Sequence, residues 1–197
     1  MIINNYSSWN FEQSFKHDPV NLYAYWDNAF TKDECEFIIQ LAKDHTSPAE
    51  TTNKKLDGYR NSEISWIYPC VEYDWIFNRM TSIIVDLNKL YFGFDLYGFL
   101  EGIQFTKYLS PGGKYGMHVD NEFNREVRKL SFTLQLSEPW EYEGGDLCLY
   151  VSDSPQYMKR DRGSVALFPS YVLHEVTPVT QGTRYSLVSW VTGKPFR

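Results

Sequence analysis

The sequence predicts an α+β fold that is mainly β: a double-stranded β-helix, or jelly roll, of about eight core strands, with N-terminal helices packed on one sheet. Apolar residues follow a helical period in the first hundred residues and a period of two from about residue 101 onwards. Turn signals rich in glycine separate the later runs at the spacing of a β-sandwich or barrel. We therefore expect one domain over residues 1–197, with a helical part at about 25–95 and a jelly-roll core at about 100–192.

Two segments of the helical part carry specific helix signals. Thr31-Lys32-Asp33-Glu34 fits a capping box, in which the threonine hydroxyl and the glutamate satisfy each other's backbone amides. The four apolar residues after it share one helical face: Cys35, Ile38, Ile39 and Ala42. A second helix is predicted from about Asp74 to Tyr91, on a stripe formed by Ile76, Met80, Ile83, Leu87 and Leu90.

The later part of the chain divides into about eight short strands. They are expected near 101–108, 115–121, 129–137, 146–151, 156–159, 164–168, 173–178 and 183–191, and Gln181-Gly182 is predicted to be the turn before the last one. Functional sites of a jelly roll lie at its open end. The second, seventh and eighth predicted strands can converge there.

Composition excludes several classes of protein. The formal net charge is -6 with no basic run, so binding to nucleic acid or to an acidic membrane has no electrostatic support. Three scattered cysteines give neither a disulfide framework nor a zinc knuckle. The N-terminus lacks the features of a signal peptide and no apolar run is long enough to span a membrane, which predicts a soluble, cytoplasmic protein.

One motif carries the chemistry. In His118-Val119-Asp120 an imidazole and a carboxylate are two residues apart, so in an extended segment both side chains lie on the same face. With His174 from a later strand they make two histidines and one carboxylate, the ligand set of non-haem Fe(II) oxygenases, which leaves positions for a 2-oxo acid and O2. The competing interpretation is a surface histidine beside a solvated aspartate, and we assign His17 and His45 to such ordinary surface or core roles.

Arg184 supplies a candidate anchor for the cosubstrate. Its guanidinium can form a bidentate pair with the distal carboxylate of 2-oxoglutarate, and Ser186 can donate a further hydrogen bond. The alternative is a structural salt bridge with a protein carboxylate. Trp190 shares the face of these two residues and can either line the pocket or belong to the core. Tyr108 and Tyr115 are candidate phenol donors to the cosubstrate, with packing as the alternative.

Two loops complete the interpretation. Gly144 and Gly145 indicate a turn that needs positive φ or close backbone approach. The charged segment 121–129 follows the ligand pair directly and is either a solvated loop or a substrate lid.

Taken together, the motifs resemble those of the 2-oxoglutarate/Fe(II) dioxygenases, and within them the prolyl 4-hydroxylase-like branch that includes PKHD-type hydroxylases. The resemblance covers about residues 25–192. It rests on the ordered series Phe30-Thr31-x-x-Glu34-Cys35, Gly58-x-Arg60-x-Ser62, Tyr108-x9-His118-x-Asp120, Leu130-Ser131-x-Thr133-Leu134-x-Leu136, Tyr142-x-Gly144-Gly145-Asp146-Leu147, Gly163-Ser164-Val165-Ala166-Leu167-Phe168-Pro169-Ser170 and His174-Glu175-Val176-x-Pro178-Val179-x-x-Gly182-x-Arg184.

The resemblance implies an enzyme that hydroxylates an unactivated C–H and releases succinate and CO2. It implies Fe(II), 2-oxoglutarate and O2, with ascorbate as an accessory reductant. By similarity, Tyr108 and Arg184 hold the distal carboxylate of 2-oxoglutarate, Trp190 flanks the pocket, and the partner is a proline-containing peptide or protein. The same resemblance places Arg60, Trp66 and Tyr68 near the mouth of an open substrate groove.

One residue departs from the pattern of this branch. Collagen-type prolyl hydroxylases usually carry lysine at the position of Arg184, which weakens the case for peptidyl proline as the substrate. A free amino acid or another small metabolite is therefore kept as an alternative substrate. A catalytically silent jelly-roll binding module is the alternative from a different class, although it would not need the triad and Arg184 together. A cupin-type metalloenzyme fits less well, because no H-x-H is present.

Overall fold

Two antiparallel sheets that share one long strand form the body of the protein, shown by a computed structural model that describes residues 21–49, 58–121 and 127–195. The helices are α1 (Lys32–Ala42) and α2 (Asp74–Leu87), followed respectively by a 3₁₀ turn (Lys43–His45) and a π-helical turn (Asn88–Phe92). The strands are β1 (Ala24–Trp26), β2 (Ser47–Pro48), β3 (Arg60–Asn61), β4 (Glu63–Ile67), β5 (Leu96–Phe99), β6 (Ile103–Leu109), β7 (Gly113–His118), β8 (Arg128–Gln135), β9 (Tyr142–Gly144), β10 (Leu147–Leu149), β11 (Gln156–Tyr157), β12 (Val165–Pro169) and β13 (His174–Gly193).

The larger sheet has the strand order β1-β12-β8-β13-β6-β4-β2, and β5 pairs with the end of β13. The smaller sheet forms around the first half of β13, which pairs with β7, β9 and β10, and these connect to β3 and β11. Both helices pack on the large sheet in one apolar cluster. The predicted mainly β jelly roll with helices on one sheet is therefore confirmed.

The central strands of the large sheet have two buried faces of opposite character. On β8, Leu130, Phe132 and Leu134 belong to the cluster with the helices, whereas Ser131 and Thr133 lie on the other face and are also buried. The alternation follows from the two-residue period of a strand. On β6 and β13 the same polar face, which is turned toward the small sheet, carries Gln104, Thr106, Tyr108, Arg184 and Ser186.

The first helix forms as its capping box predicts. The Thr31 hydroxyl accepts a hydrogen bond from the Glu34 amide at 3.2 Å, and the Glu34 carboxylate accepts one from the Thr31 amide at 2.8 Å. All four residues of the predicted apolar face are buried.

The second helix departs from its predicted stripe at the end. Ile76, Met80, Ile83 and Leu87 are buried, but Leu90 is 69% exposed, so that part of the prediction is wrong. The chain changes from α to π geometry after Leu87. Because a π turn holds more residues than an α turn, the apolar face moves, and Phe92 is buried instead.

The predicted turn at Gln181-Gly182 is also wrong, because β13 runs without interruption from His174 to Gly193. Gly182 has a φ of 72°, and a Cβ there would lie 2.0 Å from the Glu141 carbonyl oxygen. The glycine thus allows the backbone of Glu141 to approach closely while the strand continues, as glycines in strands often do. As a consequence, one strand carries both His174, in the small sheet, and Arg184, in the large one.

Among the described residues, no helix is both long and apolar enough to cross a membrane.

Candidate metal centre and cosubstrate pocket

His118, Asp120 and His174 come together between the two sheets. His118 ends β7 and His174 begins β13, and the two histidines are direct partners in the register of these strands. The Asp120 carboxylate reaches both: one oxygen lies 3.6 Å from Nε2 of His118 and the other 3.4 Å from Nε2 of His174. One ligand atom from each residue can be chosen so that all three lie within 4.8 Å of one another.

Backbone carbonyls fix the tautomer of both imidazoles. Nδ1 of His118 lies 2.7 Å from the carbonyl oxygen of Gly116, and Nδ1 of His174 lies 2.9 Å from that of Val172. Because a carbonyl can only accept, each Nδ1 carries a hydrogen, and in the neutral ring the lone pair is then on Nε2, which lies toward Asp120. Such second contacts orient the histidine ligands of metal sites.

Asp120 reaches this position differently from the predicted one. The sequence places His118 and Asp120 on one extended strand, but β7 ends at His118 and Asp120 follows it in a bend. Its amide donates to the carbonyl of Ser170 at 2.9 Å, and its carboxylate accepts from the Ser131 hydroxyl at 2.7 Å. A contact from β8 to the carboxylate and one from the turn after β12 to the backbone therefore hold Asp120, instead of simple strand alternation.

The electrostatics of the triad favour the forms that bind a cation. Burial, together with the neighbouring His174, lowers the pKa of His118 to about 4, so this imidazole is neutral at neutral pH. Burial would raise the pKa of Asp120, but both histidines and Ser131 outweigh it and keep this pKa below its usual value. The indole of Trp190 also lowers the pKa of Asp120, although its N–H has no hydrogen-bond partner of normal geometry in the described structure.

The residues fit a divalent transition-metal ion. First-row metals bind imidazole nitrogen and carboxylate oxygen at about 2.0–2.2 Å, so neighbouring ligands around one ion are roughly 3 Å apart. The separations of 3.4 and 3.6 Å between the ligand atoms are close to this value. Two imidazoles and one carboxylate would hold Fe(II) on one side and leave its other side open toward the pocket.

Arg184 lies in the same pocket with its charge unmatched. It is only 3% exposed, and in the described part of the chain it forms no salt bridge with a carboxylate. Its guanidinium lies 3.5 Å from the Ser186 hydroxyl and 5.4 Å from the centre of the Tyr108 ring. The structural salt bridge considered for Arg184 is therefore not present among the described residues, and a buried cation of this kind fits an anionic ligand.

Gly145 makes room for this arginine. It has a φ of 64°, and a Cβ at this position would lie 3.3 Å from Cδ of Arg184 and 2.8 Å from the Val179 side chain. The sequence predicted that Gly144-Gly145 needs positive φ or close backbone approach. At Gly145 one of the side chains that come close is that of Arg184.

The remaining predicted residues also line this pocket: Tyr108, Tyr115, Ser186 and Trp190. Tyr115 stacks on His118, with ring centres 3.7 Å apart, so it contacts a triad member directly. Trp190 lies under the guanidinium of Arg128 at 3.9 Å and is tilted against Trp66 at 6.3 Å.

Sequence reasoning left several pocket residues out of the site. Gln104, Thr106 and Thr133 line it from the polar face of the large sheet, and Arg60 enters from β3. The two-residue alternation of polar residues in otherwise apolar strands could have indicated the first three. Arg60 was expected only near a substrate groove, because its position depends on the pairing of Arg60 with Tyr115 between distant segments.

Other residues singled out earlier lie elsewhere. His45 is exposed in the 3₁₀ turn after α1, and His17 falls outside the described residues. Of the segment 121–129, residues 122–126 are likewise outside them, so the proposed lid is not described.

Comparison with known proteins agrees with this geometry. The model of the 2OG-Fe(II) oxygenase superfamily matches residues 103–192, which include the triad and Arg184. A PKHD-type hydroxylase of Prochlorococcus marinus strain MIT 9303 is 32% identical over 77% of this chain and 69% of its own length. The chain therefore belongs to the 2OG-Fe(II) oxygenase superfamily, whose members use Fe(II), 2-oxoglutarate and O2. Within it, the chain falls in the PKHD-type branch. The chain spans about half the length of several other curated relatives that it matches.

Solved structures share the fold. A prolyl 4-hydroxylase of Pseudomonas putida superposes with a TM-score of 0.72 and 24% identity, covering 88% of this chain and 94% of that one. A Trichoplax adhaerens prolyl hydroxylase, in complex with a peptide fragment of the hypoxia inducible factor oxygen degradation domain, gives a TM-score of 0.75 with 20% identity over 88% and 84% of the two chains.

Proposed function

We propose that this protein is an Fe(II)- and 2-oxoglutarate-dependent dioxygenase that hydroxylates an unactivated C–H of a prolyl residue in a peptide and releases succinate and CO2. The observation that carries the cosubstrate part is the buried guanidinium of Arg184, which shares one pocket with His118, Asp120 and His174 and has no carboxylate partner in the described structure. A dicarboxylate cosubstrate explains both features, because one end can reach the metal and the other the arginine.

The chain's own residues have distinct roles in this proposal. His118, Asp120 and His174 hold the metal, which together with 2-oxoglutarate and O2 supplies the oxidising chemistry when bound. Arg184 orients 2-oxoglutarate through a charge-assisted pair with its distal carboxylate, supported by the Ser186 hydroxyl. The protein's contribution is thus to bind, orient and exclude water.

The tyrosines are suited to donate hydrogen bonds. Burial raises the pKa of the Tyr108 phenol against the effect of Arg60 and Arg184, and burial likewise raises that of Tyr115. Both phenols therefore keep their hydrogen at neutral pH and can donate it to a carboxylate. We assign Tyr108 to the distal carboxylate of 2-oxoglutarate, because it is the strand partner of Arg184.

A peptide substrate is supported by an aromatic cleft beside the pocket. Trp66, Tyr68 and Phe99 line this cleft, and the contact between Trp66 and Trp190 joins it to the pocket wall. Tyr68 is 63% exposed, so its ring is available to an apolar partner. Prolyl hydroxylases among the structural neighbours, one with a peptide bound, point to the same class of substrate.

A direct test combines the purified protein with Fe(II), 2-oxoglutarate, ascorbate and a panel of proline-containing peptides and free amino acids. We expect succinate release that depends on a peptide, and a product that carries one added oxygen atom. Turnover of free proline or another small molecule, with every peptide inert, would replace the peptide by a metabolite and leave the dioxygenase proposal intact. Absence of both metal binding and 2-oxoglutarate binding would favour a silent jelly-roll binding module.

A further inference from the structure

Arg60 is a second cation in the pocket, in addition to Arg184. It extends from β3 across the strand that carries Tyr115, and its guanidinium lies 4.4 Å from the centre of the Tyr115 ring. Its Nε donates to the Ser62 hydroxyl at 2.9 Å, and one terminal nitrogen donates to the Gln104 side-chain oxygen at 2.8 Å. Three neutral neighbours therefore hold the guanidinium in place.

None of these neighbours balances its charge. In the described part of the chain, Arg60 forms no salt bridge with a carboxylate, unlike Arg79 with Glu34 or Arg128 with Glu101. With the metal and cosubstrate bound, the dication and Arg184 would be balanced by Asp120 and the two carboxylates of 2-oxoglutarate. Arg60, which is partly buried, is then the cation in excess, at a position where an opposite charge is worth more than at the open surface.

The two arginines contact one wall of the pocket through different residues. Arg184 is opposite Tyr108 on β6, whereas Arg60 bonds to Gln104, four residues away on the same face of that strand. Both guanidinium groups act electrostatically on the Tyr108 phenol. The hydrogen bond to Arg60 occupies the oxygen of Gln104, so the amide NH2 of Gln104 remains as a donor. An arginine and an amide placed side by side in this way match the oxygens of a carboxylate.

We propose that Arg60, with Gln104, binds a carboxylate of the primary substrate and so selects anionic substrates over neutral ones. This inference rests on the proposed hydroxylase function and narrows its substrate class. The carboxylate can belong to a free amino acid or to an acidic residue beside the target proline. Arg60 is thus a specificity-determining residue, distinct from the cosubstrate anchor Arg184.

The test uses two pairs of probes that differ only in charge: acetyl-Glu-Pro-amide with acetyl-Gln-Pro-amide, and L-proline with L-prolinamide. Affinities are measured by isothermal titration calorimetry in full-length protein loaded with Zn(II) and saturating 2-oxoglutarate, and in the wild-type protein the side-chain Nε–H resonance of Arg60 reports the contact. We expect the carboxylate member of one pair to shift this resonance saturably and to bind about tenfold more tightly than its amide partner, which corresponds to about 1.4 kcal/mol. The pair that responds identifies the source of the carboxylate.

Variants separate recognition from structure. In Arg60→Gln the preference within the responsive pair should fall to about twofold or less, and Arg60→Lys should restore part of it, since it keeps the charge. Arg79→Gln, remote from the pocket, is the matched control and should keep the full preference. Melting temperatures of all variants, measured with metal, show whether each is folded.

Three results would overturn the inference. They are equal binding of both members of each pair, absence of binding by every carboxylate probe, and a preference that survives in Arg60→Gln. A loss of 2-oxoglutarate affinity in Arg60→Gln as large as that in Arg184→Ala would instead assign Arg60 to the cosubstrate. Because these measurements need no turnover, a lack of succinate release with all probes counts against the proposed function alone.

Discussion

The two buried faces of the large sheet have the same backbone and opposite tasks. The face toward the helices carries Phe105, Phe132 and Leu187, which are fully buried among apolar neighbours. The face toward the small sheet carries Thr106, Ser131 and Ser186, which are as inaccessible to solvent but polar. Burying polar groups costs free energy unless they form hydrogen bonds, so the second face contributes less to the stability of the fold. Its hydrogen-bonding groups line the site instead.

The largest effect is expected where the polar face meets the metal ligands. His174→Ala removes one of three proposed ligands, so the variant should lose both metal binding and turnover. Metal content and succinate release measure this directly, with His45→Ala, an exposed histidine outside the pocket, as the control. Metal located away from His118, Asp120 and His174 by anomalous scattering would refute the assignment.

A substitution on the apolar face should lower the stability of the fold and leave metal binding unchanged. Phe132→Ala leaves a cavity in the cluster with the helices, and we expect a loss of about 3–5 kcal/mol in the free energy of unfolding. Chemical denaturation measures this loss, and the folded fraction should keep its metal stoichiometry. If metal binding were lost while stability remained, the two faces would not be separable in the way proposed here.

The cosubstrate end of the polar face can be tested through Arg184. In Arg184→Ala the apparent Km for 2-oxoglutarate should rise strongly while metal affinity changes little, because removal of one partner of a buried charged pair costs on the order of 2–5 kcal/mol. Arg184→Lys should lose less, as it keeps the charge without the planar fork. Wild-type dependence on 2-oxoglutarate in Arg184→Ala would make the arginine structural.

Much of the fold and of the candidate site could be predicted from the sequence, and the predictions that were wrong have physical causes. The helix cap at Thr31 and the residues of the triad depend on short-range patterns of chemistry, which a sequence displays directly. The continuity of β13 through Gly182 could not be predicted, because a glycine signals a turn and a bent strand equally well. The change to π geometry before Leu90 has no local signal that we recognise.

Long-range pairing accounts for the parts of the site that were missed. The approach of Arg60 to Tyr115 depends on the pairing of β3 with β7. The contact of Ser131 with Asp120 depends on the position of β8 beside Asp120 in the folded chain. The polar alternation in β8 was visible in the sequence as Leu130-Ser131-x-Thr133-Leu134. Its function could be recognised only once the register showed which residues it faces.

Two buried serines on adjacent strands give the finest comparison of the two faces. Ser131 donates to the Asp120 carboxylate at 2.7 Å, whereas the Ser189 hydroxyl, on the helix-facing side of β13, has no hydrogen-bond partner in the described structure. Ser131→Ala should weaken metal binding by roughly 10–100-fold, as the loss of outer partners of metal ligands commonly does. Ser189→Ala should leave metal binding unchanged and raise stability slightly, since it removes an unpaired buried hydroxyl. Metal titrations and denaturation curves of both variants measure these effects, and equal metal affinities would show that Ser131 does not position Asp120.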